Sequence, residues 1–336
     1  MKGLVIEGPQ KVTLKEVPTP KPGSGEVMVR VRAAGVCGTD VHIYHGEFIA
    51  SYPLIPGHEF AGEVAEVGPG VRDWKPGDRV TVDPSIFCGD CYFCKSNRGN
   101  HCLNWNGIGA TRNGGFAEYA LVPVANLYKI KDSLSFQEGA FIEPISCVVY
   151  GLKRVNVQIG DSVLIFGSGP IGLLLLQLTK HGGASSVTVV DVQEKRLTLA
   201  RQLGASHTIL ADGSEAEELT AISPLGFDVV IDATGVPAVV ERVFAYIKSG
   251  GKLLVFGVCP SDSKIQVSPF DIYRHDWKIY GSFALCYTFY PARDLLENGV
   301  VSVKPLISLT IPLEEAVEIF RSPEKFEDSL KIVVTP

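Results

Sequence analysis

The chain of 336 residues is 46% hydrophobic and 20% charged, and its formal net charge is −6. This length predicts two domains, and the composition is that of an ordinary globular protein. The acidic balance, without any block rich in lysine and arginine, argues against a surface that binds nucleic acid.

The N-terminal segment carries charges every few residues and has no apolar run of signal-peptide length. The longest strongly apolar stretch, IGLLLLQL, is far too short to span a bilayer. Eight cysteines are present, and their clustering in a long chain indicates metal binding more than disulfides. We therefore expect a cytoplasmic protein that does not associate with a membrane.

Residues 1 to about 130 alternate short β-like runs with turns rich in glycine and proline. The clearest runs are EVMVRVRAAG, EFAGEVAEVG, DRVTVDPS and AEYALVP. Short strands between such dense turns predict a small barrel-like β unit. Within it, GVCGTDVHIYHG is either a reactive centre or a polar loop, and its own residues do not decide between the two.

From about residue 150, strands and helices alternate, as in DSVLIFGSG, PIGLLLLQLTKHGG and SVTVVDV. This alternation predicts a parallel sheet with helices on both faces. After about residue 285 the pattern loosens, and SLKIVVTP closes the chain as a strand that can return to the first domain. We therefore predict a discontinuous β-rich domain over 1–147 and 285–336, and an α/β domain over 148–284.

Gly167, Gly169 and Gly172 follow a predicted strand and precede a helix with G-x-G-x-x-G spacing. The glycines allow a tight turn and the close approach of a pyrophosphate to the helix N-terminus. Asp191 ends the next strand and can accept hydrogen bonds from ribose hydroxyls, whereas a 2′-phosphate would meet its charge. The motif predicts NAD binding; the alternative is a glycine turn needed only for packing.

Four cysteines follow one another with C-x2-C-x2-C-x7-C spacing: Cys88, Cys91, Cys94 and Cys102. Four thiolates so close in sequence can form a closed tetrahedral zinc site, which leaves no open position and is therefore structural. An iron–sulfur cluster and free thiols are the alternatives, although the spacing matches a ferredoxin pattern poorly.

A second set of potential ligands is scattered along the chain: Cys37, His58 with Glu59 in PGHEF, and Glu143 in FIEPIS. Together they offer sulfur, nitrogen and carboxylate oxygen, a plausible set for a catalytic zinc with one exchangeable position. Singly, each has an ordinary explanation, because a lone cysteine is usually buried and a loop His-Glu pair is usually solvated.

These motifs, in this order, resemble the zinc-containing medium-chain dehydrogenases, and among them the polyol (sorbitol-type) and threonine dehydrogenases. The resemblance extends over essentially the whole chain. It is carried by GVCGTDVHIY, PLIPGHEFAGEVAEVGPGV, WKPGDRV, the four-cysteine loop, GGFAEYALVP, EPIS and GSGPIGLL with VVDV.

The resemblance implies a GroES-like catalytic domain, a Rossmann doubly wound domain, and an active site in the cleft between them. It implies a catalytic zinc on Cys37, His58 and either Glu59 or Glu143, and a homotetramer. Other positions of this chain that fall on the family's cofactor contacts are Ile171, Asp191, Arg196, Val258 in GVC and Phe283 in GSF.

The resemblance also bears on substrate and proton transfer. The motif EPIS, with an acid at Glu143, favours a polyol or other secondary alcohol as the substrate. The motif CGTD favours L-threonine as the alternative substrate. Thr39 follows Cys37 closely enough to take the substrate proton, and His42 can carry it to solvent through the nicotinamide ribose or water. The competing explanations are a turn-stabilising hydroxyl at Thr39 and a solvated imidazole at His42, and Asp40 is read as a turn or cap acceptor.

Three other functions share parts of this pattern. A zinc-free quinone reductase would share the two domains but would not need the set at Cys37, His58 and the acid. A non-catalytic NAD sensor, or a purely structural protein, would likewise leave these ligands without a purpose. Metal analysis distinguishes all three from a zinc-dependent dehydrogenase.

Overall fold

The computed structural model describes residues 1–336. Its internal contacts divide the chain into two compact units: Met1–Ser146 with Cys286–Pro336 as unit 1, and Cys147–Leu285 as unit 2. The boundaries lie beside the expected ones at 147/148 and 284/285. None of the helices combines the length and the apolar character that crossing a membrane requires.

The N-terminal part of unit 1 is dominated by strands. These are β1 (Lys2–Gly8), β2 (Lys11–Glu16), β3 (Glu26–Gly35), β4 (Glu59–Val67), β5 (Arg79–Val82), β6 (Ser85–Ile86), β7 (Asn106–Gly107), β8 (Tyr119–Pro123) and β9 (Leu127–Lys129). The helices are α1 (Gly38–His45), α2 (Tyr92–Lys95), α3 (Phe136–Ala140) and α4 (Ile142–Val155), the last of which crosses the unit boundary.

Unit 2 alternates strands and helices. Its strands are β10 (Ser162–Phe166), β11 (Ser186–Asp191), β12 (His207–Leu210), β13 (Phe227–Asp232), β14 (Ile247–Val255) and β15 (Lys278–Gly281). Its helices are α5 (Pro170–His181), α6 (Glu194–Gln202), α7 (Glu215–Ile222), α8 (Pro237–Arg242) and α9 (Pro269–His275).

The six strands of unit 2 form one parallel sheet in the order β12-β11-β10-β13-β14-β15. The chain runs outward from β10 in one direction and returns to its other side at β13, so the order reverses beside β10. Such a reversal defines the switch point of a doubly wound fold, where ligands bind at the carboxyl ends of the strands. This sheet confirms the predicted Rossmann-type α/β fold.

The C-terminal part of the chain returns to unit 1 as α10 (Phe289–Glu297), β16 (Ile307–Pro312), α11 (Val317–Arg321) and β17 (Lys331–Thr335). Strand β17 pairs in parallel with β16 and antiparallel with β3, where Val333 lies opposite Gly35. The main sheet of unit 1 runs β16-β17-β3-β4-β5-β9, and β8 also pairs with β3. The ends of β3, β4 and β17 therefore meet at one place, and the potential metal ligands lie there.

Candidate active site and metal centres

Helix α1 begins directly after strand β3 and places Cys37 at its N-terminus. Cys37 is the N-cap residue, and its backbone N–H donates to Asp40 Oδ2 over 2.9 Å. This capping closes the first turn of a segment that has little helical periodicity of its own. Residues 38–45 therefore form a helix and not a loop.

Asp40 also orients His58. It is fully buried; its Oδ1 accepts from the Gly57 N–H over 3.2 Å and lies 3.4 Å from His58 Nδ1. Burial lowers the pKa of His58, but the charges of Asp40 and Cys37 outweigh it and raise that pKa well above its ordinary value. Because Nδ1 faces Asp40, Nε2 is the ring nitrogen that His58 would offer to a metal in place of a proton.

Cys37, His58 and Glu59 each offer a ligand atom, and these atoms lie within 4.8 Å of one another. Glu59 is not in a loop, because it begins β4 and is only 2% exposed. One sulfur, one nitrogen and one carboxylate oxygen fit a three-ligand zinc site with an exchangeable fourth position. Glu143, at the start of α4, is buried but does not belong to this group.

Lys331, the first residue of β17, forms a buried ion pair with Glu59. Its Nζ contacts Glu59 Oε2, and the two side chains are 5% and 2% exposed. Burial lowers the pKa of Lys331, but Glu59, Cys37 and Glu143 together raise it above its ordinary value. The lysine is therefore an ammonium ion, and it balances part of the negative charge of the ligand group.

Thr39 and His42 lie on α1, two and five residues after Cys37. Thr39 Oγ1 is 3.7 Å from Cys37 Sγ, so its hydroxyl faces the ligand group. His42 is partly exposed, and its Nδ1 lies 2.9 Å from Glu47 Oε2. Glu47 reaches this position because its N–H bonds the His42 carbonyl, where the helix ends at Gly46. Thr39 thus lies on the metal side of α1, and His42 on a side open to solvent.

The four clustered cysteines of the loop around α2 meet in space. Cys88 and Cys94 have their sulfurs 3.9 Å apart, and those of Cys91 and Cys102 are 4.0 Å apart. A tetrahedron with Zn–S bonds of about 2.3 Å has S···S edges of about 3.8 Å, so the spacing suits zinc. Backbone N–H groups point at the Cys91 sulfur and lower its pKa to about 6, which favours the thiolate that a metal needs.

In unit 2, the glycine-rich turn joins β10 to α5. Gly167 has φ 97°, a conformation that favours glycine, and a Cβ on Gly172 would overlap the Gly167 carbonyl oxygen. A Cβ on Gly169, the N-cap of α5, would meet nothing within 4 Å, so the backbone there faces open space. This arrangement suits the approach of a pyrophosphate to the N-terminus of a 12-residue helix.

Asp191 ends β11 beside this turn and is held by three donors. Its Oδ2 accepts from the N–H of Ser168 over 2.6 Å and from the Ser168 hydroxyl over 2.7 Å, and its Oδ1 accepts from Gln193 N–H over 2.9 Å. Asp191 is 7% exposed, so a fixed and nearly buried carboxyl group lies at the carboxyl end of β11. This position suits a ribose diol and opposes a 2′-phosphate.

Two family models match the chain: an alcohol dehydrogenase GroES-like domain over residues 23–132 and a zinc-binding dehydrogenase domain over residues 170–298. D-altritol 5-dehydrogenase of Agrobacterium fabrum is 37% identical over 96% of this chain and 96% of its own length. The chain belongs to the zinc-binding alcohol dehydrogenase family. It is an enzyme of the α/β class with a GroES-like domain.

Other members of the zinc-binding dehydrogenase family are similar over nearly their whole length. D-arabinitol dehydrogenase 1 of Uromyces fabae is 36% identical (100% and 97% covered), and L-threonine 3-dehydrogenase of Pseudoalteromonas translucida is 32% identical (88% of each). A zinc-binding dehydrogenase from Sinorhizobium meliloti bound to NADP has a TM-score of 0.95 at 37% identity, covering 100% and 99%. An Escherichia coli alcohol dehydrogenase complexed with NADH has a TM-score of 0.93 at 31% identity, covering 100% of this chain and 99% of its own.

In unit 2 of this zinc-binding dehydrogenase, the other expected cofactor positions are accessible. Val258 is 58% exposed and Phe283 is 41% exposed, while Ile171 and Arg196 are half-buried. Ile171 lies in the first turn of α5 and Arg196 in α6, which follows Asp191. The glycine turn, Ile171, Asp191 and Arg196 therefore come from neighbouring segments at the switch-point side of the sheet.

Sequence reasoning missed two charged residues of the ligand region of this dehydrogenase. Lys331 opens the otherwise apolar strand KIVV, and a lysine in that position was the available signal. Asp83, just after β5, is 7% exposed; burial, opposed by the Ser85 N–H and assisted by Glu143, raises its pKa to about 7. Both act on the charge balance around Glu59 and Glu143.

Proposed function

We propose that this zinc-binding dehydrogenase oxidises a secondary hydroxyl of a polyol to a ketone and reduces NAD⁺. The observation that carries the proposal is the group of Cys37, His58 and Glu59, whose donor atoms lie within 4.8 Å of one another. Zinc bound there would make the substrate hydroxyl more acidic, and the nicotinamide ring would accept the hydride. We assign Glu59 as the third ligand and Glu143 as a nearby acid outside the metal group.

The chain's own residues supply orientation and proton transfer. Asp40 fixes the ring of His58 through Nδ1, which keeps Nε2 directed at the metal position. The Thr39 hydroxyl, 3.7 Å from Cys37 Sγ, accepts the proton of the substrate hydroxyl while donating its own onward. His42, held by Glu47 at the partly exposed side of α1, delivers that proton to solvent.

Asp191 supports the choice of NAD. One similar structure holds NADP and another holds NADH, so the comparisons do not separate the two cofactors. A 2′-phosphate placed at Asp191 would face a carboxyl group that three protein donors hold in place. The pyrophosphate would rest on the α5 N-terminus, and Ile171, Arg196, Val258 and Phe283 complete the proposed contacts.

The four-cysteine loop is proposed to hold the second, structural zinc of each chain. Its sulfur distances leave no room for an added ligand at tetrahedral geometry, so it contributes stability and takes no part in the chemistry. A cytoplasmic location belongs to the same proposal, because none of the eight cysteines is committed to a disulfide.

A homotetramer is proposed as the assembly. The edge strand β15 carries exposed side chains, among them Ile279 at 46%, and the neighbouring α9 exposes Phe270 and Tyr273 at 65% and 82%. An unpaired edge with apolar side chains favours pairing with another chain. Light scattering on the purified protein measures the mass, and a monomer would contradict the proposed tetramer.

L-threonine is the second candidate substrate, since a threonine 3-dehydrogenase is 32% identical to this chain and two named polyol enzymes are 36–37% identical. NADH formation with sorbitol, xylitol, the arabinitols, butanediol and L-threonine distinguishes the two. We expect turnover with polyols, and faster reduction of NAD⁺ than of NADP⁺. Turnover of threonine alone would make the second candidate correct.

A further inference from the structure

The buried ion pair of Lys331 and Glu59 lies at the proposed catalytic metal position. Lys331 reaches it from the C-terminal strand β17, whose pairing with β3 places Val333 opposite Gly35. A Cβ on Gly35 would overlap Glu59 Oε2 and come within 3.0 Å of Lys331 Cε. Gly35 therefore leaves the space through which the ammonium reaches the carboxylate.

The side chains around Lys331 keep its ammonium group paired with the Glu59 carboxylate. Its Nζ is 5.8 Å from the centroid of the Phe141 ring, and its side chain is 5% exposed, so water does not replace the pair. Asp40 is directed to His58 instead, so Glu59 is the carboxylate that the ammonium contacts. Lys331 is thus the basic side chain that balances the Cys37–Glu59 side of the ligand group.

An ammonium on Oε2 weakens Glu59 as a metal ligand, because the same carboxylate charge cannot be given fully to two cations. We propose that Lys331 is a positioning residue that competes with the catalytic metal for Glu59 and so preserves the exchangeable metal position. This inference rests on the proposed function, since it takes Cys37, His58 and Glu59 to be the catalytic zinc ligands.

The rate of zinc loss to excess chelator tests this inference on the full-length protein. Lys331→Met leaves the buried Glu59 carboxylate with no partner except the metal, so zinc at this position should be held more tightly. We expect its release to be slowed about tenfold or more, because breaking a buried ion pair leaves a strongly unfavourable lone charge. Cys37→Ala, which lacks this zinc, identifies the corresponding kinetic phase, and the phase from the cysteine cluster serves as the internal reference.

Two control variants separate the charge effect from a loss of packing. Lys331→Arg keeps a cation at the carboxylate, so zinc release should remain within about twofold of the wild-type rate. Lys252→Met removes a partly buried lysine that lies 3.7 Å from Asp161 in unit 2, far from any proposed ligand in sequence and in a different unit, and should leave zinc release unchanged.

A double-mutant cycle with Glu59→Gln tests whether the lysine acts through Glu59, and its double variant leaves no buried unpaired charge that would impair folding. Glu59→Gln/Lys331→Met removes both charges together, and its zinc release should match that of Glu59→Gln within about twofold. Slowed release in Lys331→Met that vanishes in the Glu59→Gln background supports the competition. Unchanged or faster release in folded Lys331→Met, or a lysine effect that persists without Glu59, would overturn it.

Cobalt substitution gives a second readout that does not depend on turnover. In the Co²⁺-loaded protein, Lys331→Met should change the visible d–d spectrum, because Glu59 then contributes more strongly to the coordination. An identical spectrum would count against the competition. A wild-type protein that holds no zinc outside the cysteine cluster would overturn both the proposed function and this inference, whereas two zincs with unaltered release would overturn the inference alone.

Discussion

Thr39 and Cys37 illustrate how much of the chemistry is set by single residues. Their side chains lie 3.7 Å apart because Asp40 caps the first turn of α1 and directs residues 37–39 toward the ligand group. The same Asp40 carboxylate holds His58, so one buried acid positions two ligands and, through the helix, the proton acceptor. We therefore propose that proton transfer depends on Thr39 and that metal binding does not.

Replacing Thr39 tests the proton path. Thr39→Val keeps the shape of the side chain and removes its hydroxyl, so turnover should fall about 100-fold or more, the usual contribution of a positioned acid or base. Zinc content should remain that of the wild type. Thr39→Ser, which restores the hydroxyl, should recover most of the rate; equal turnover in the valine variant would contradict the path.

A substitution at Ser168 tests whether the orientation of the Asp191 carboxyl group matters for NAD binding. Ser168→Ala removes the 2.7 Å hydroxyl bond to Asp191 Oδ2, and loss of one such bond should weaken NADH binding about three- to tenfold. Ser162→Ala is a matched control, because Ser162 donates its N–H and hydroxyl to Asp228 with the same pattern at the other end of β10. Fluorescence titration measures both; equal weakening in the two variants would contradict a specific role.

Asp83 makes stability depend on pH. Its pKa is about 7 in the folded protein because it is buried, against 3.8 ordinarily, so between these values the folded chain binds a proton that the unfolded chain has lost. Stability attributable to Asp83 is therefore full below about pH 4 and falls as pH rises through 7, by up to about 4 kcal/mol. Asp83→Asn removes this dependence.

Denaturant unfolding at pH 5 and pH 8 measures the Asp83 effect. At pH 8 the asparagine variant should be more stable relative to wild type than it is at pH 5. Its Oδ1 can still accept the 2.9 Å hydrogen bond from the Ser85 N–H. A stability difference between the two proteins that is the same at both pH values would show that Asp83 is ionised in the folded state.

At the scale of elements, the four-cysteine loop has little apolar surface of its own to fold around. Its helix α2 has four residues, and only Cys94 is buried in it. A closed metal site can supply the missing stabilisation. Cys94→Ser should lower zinc content by one per chain and destabilise the protein by about 3 kcal/mol or more, measured as metal content and Tm.

Cys286→Ser is the control for the cysteine loop. Cys286 is buried beside that loop, with its Sγ 3.9 Å from the Asn97 carbonyl oxygen, but it does not belong to the ligand group. This variant should keep both zincs. Loss of zinc in Cys286→Ser, or its full retention in Cys94→Ser, would contradict the assignment of the structural site.

Elements with a strong local pattern were predictable from the sequence. The strand SVTVVD is buried along nearly its whole length, and α5 has a glycine N-cap, a proline in its first turn and a run of buried leucines, so both follow from composition and glycine placement. Helix α1 was not, because its sequence has little helical periodicity and its Asp40 cap and the burial of Ile43 and Tyr44 depend on tertiary contacts. Those contacts involve Gly57 and other distant residues.

At the scale of the whole molecule, the candidate site joins segments that are far apart in sequence. Cys37 follows β3, Glu59 begins β4 and Lys331 begins β17, so the ligand group depends on strand pairings that no local pattern contains. The sequence did not distinguish Glu59 from Glu143 as the acidic ligand. The pairing of β3 with β4 sets Gly35 opposite Glu59 and so brings Glu59 to the ligand group. The cysteine loop, whose ligands are close in sequence, could be assigned from spacing alone.

We propose that a catalytic zinc on Cys37, His58 and Glu59 is separate from the structural zinc and is required for NAD-dependent polyol oxidation. The most direct test measures zinc per chain and polyol-dependent NADH formation in wild type and Cys37→Ala. We predict two zincs with turnover in the wild type, and one zinc, a Tm within a few degrees of wild type, and turnover reduced at least about 1,000-fold in the variant. Loss of both zincs, or one zinc with undiminished turnover, would contradict the account.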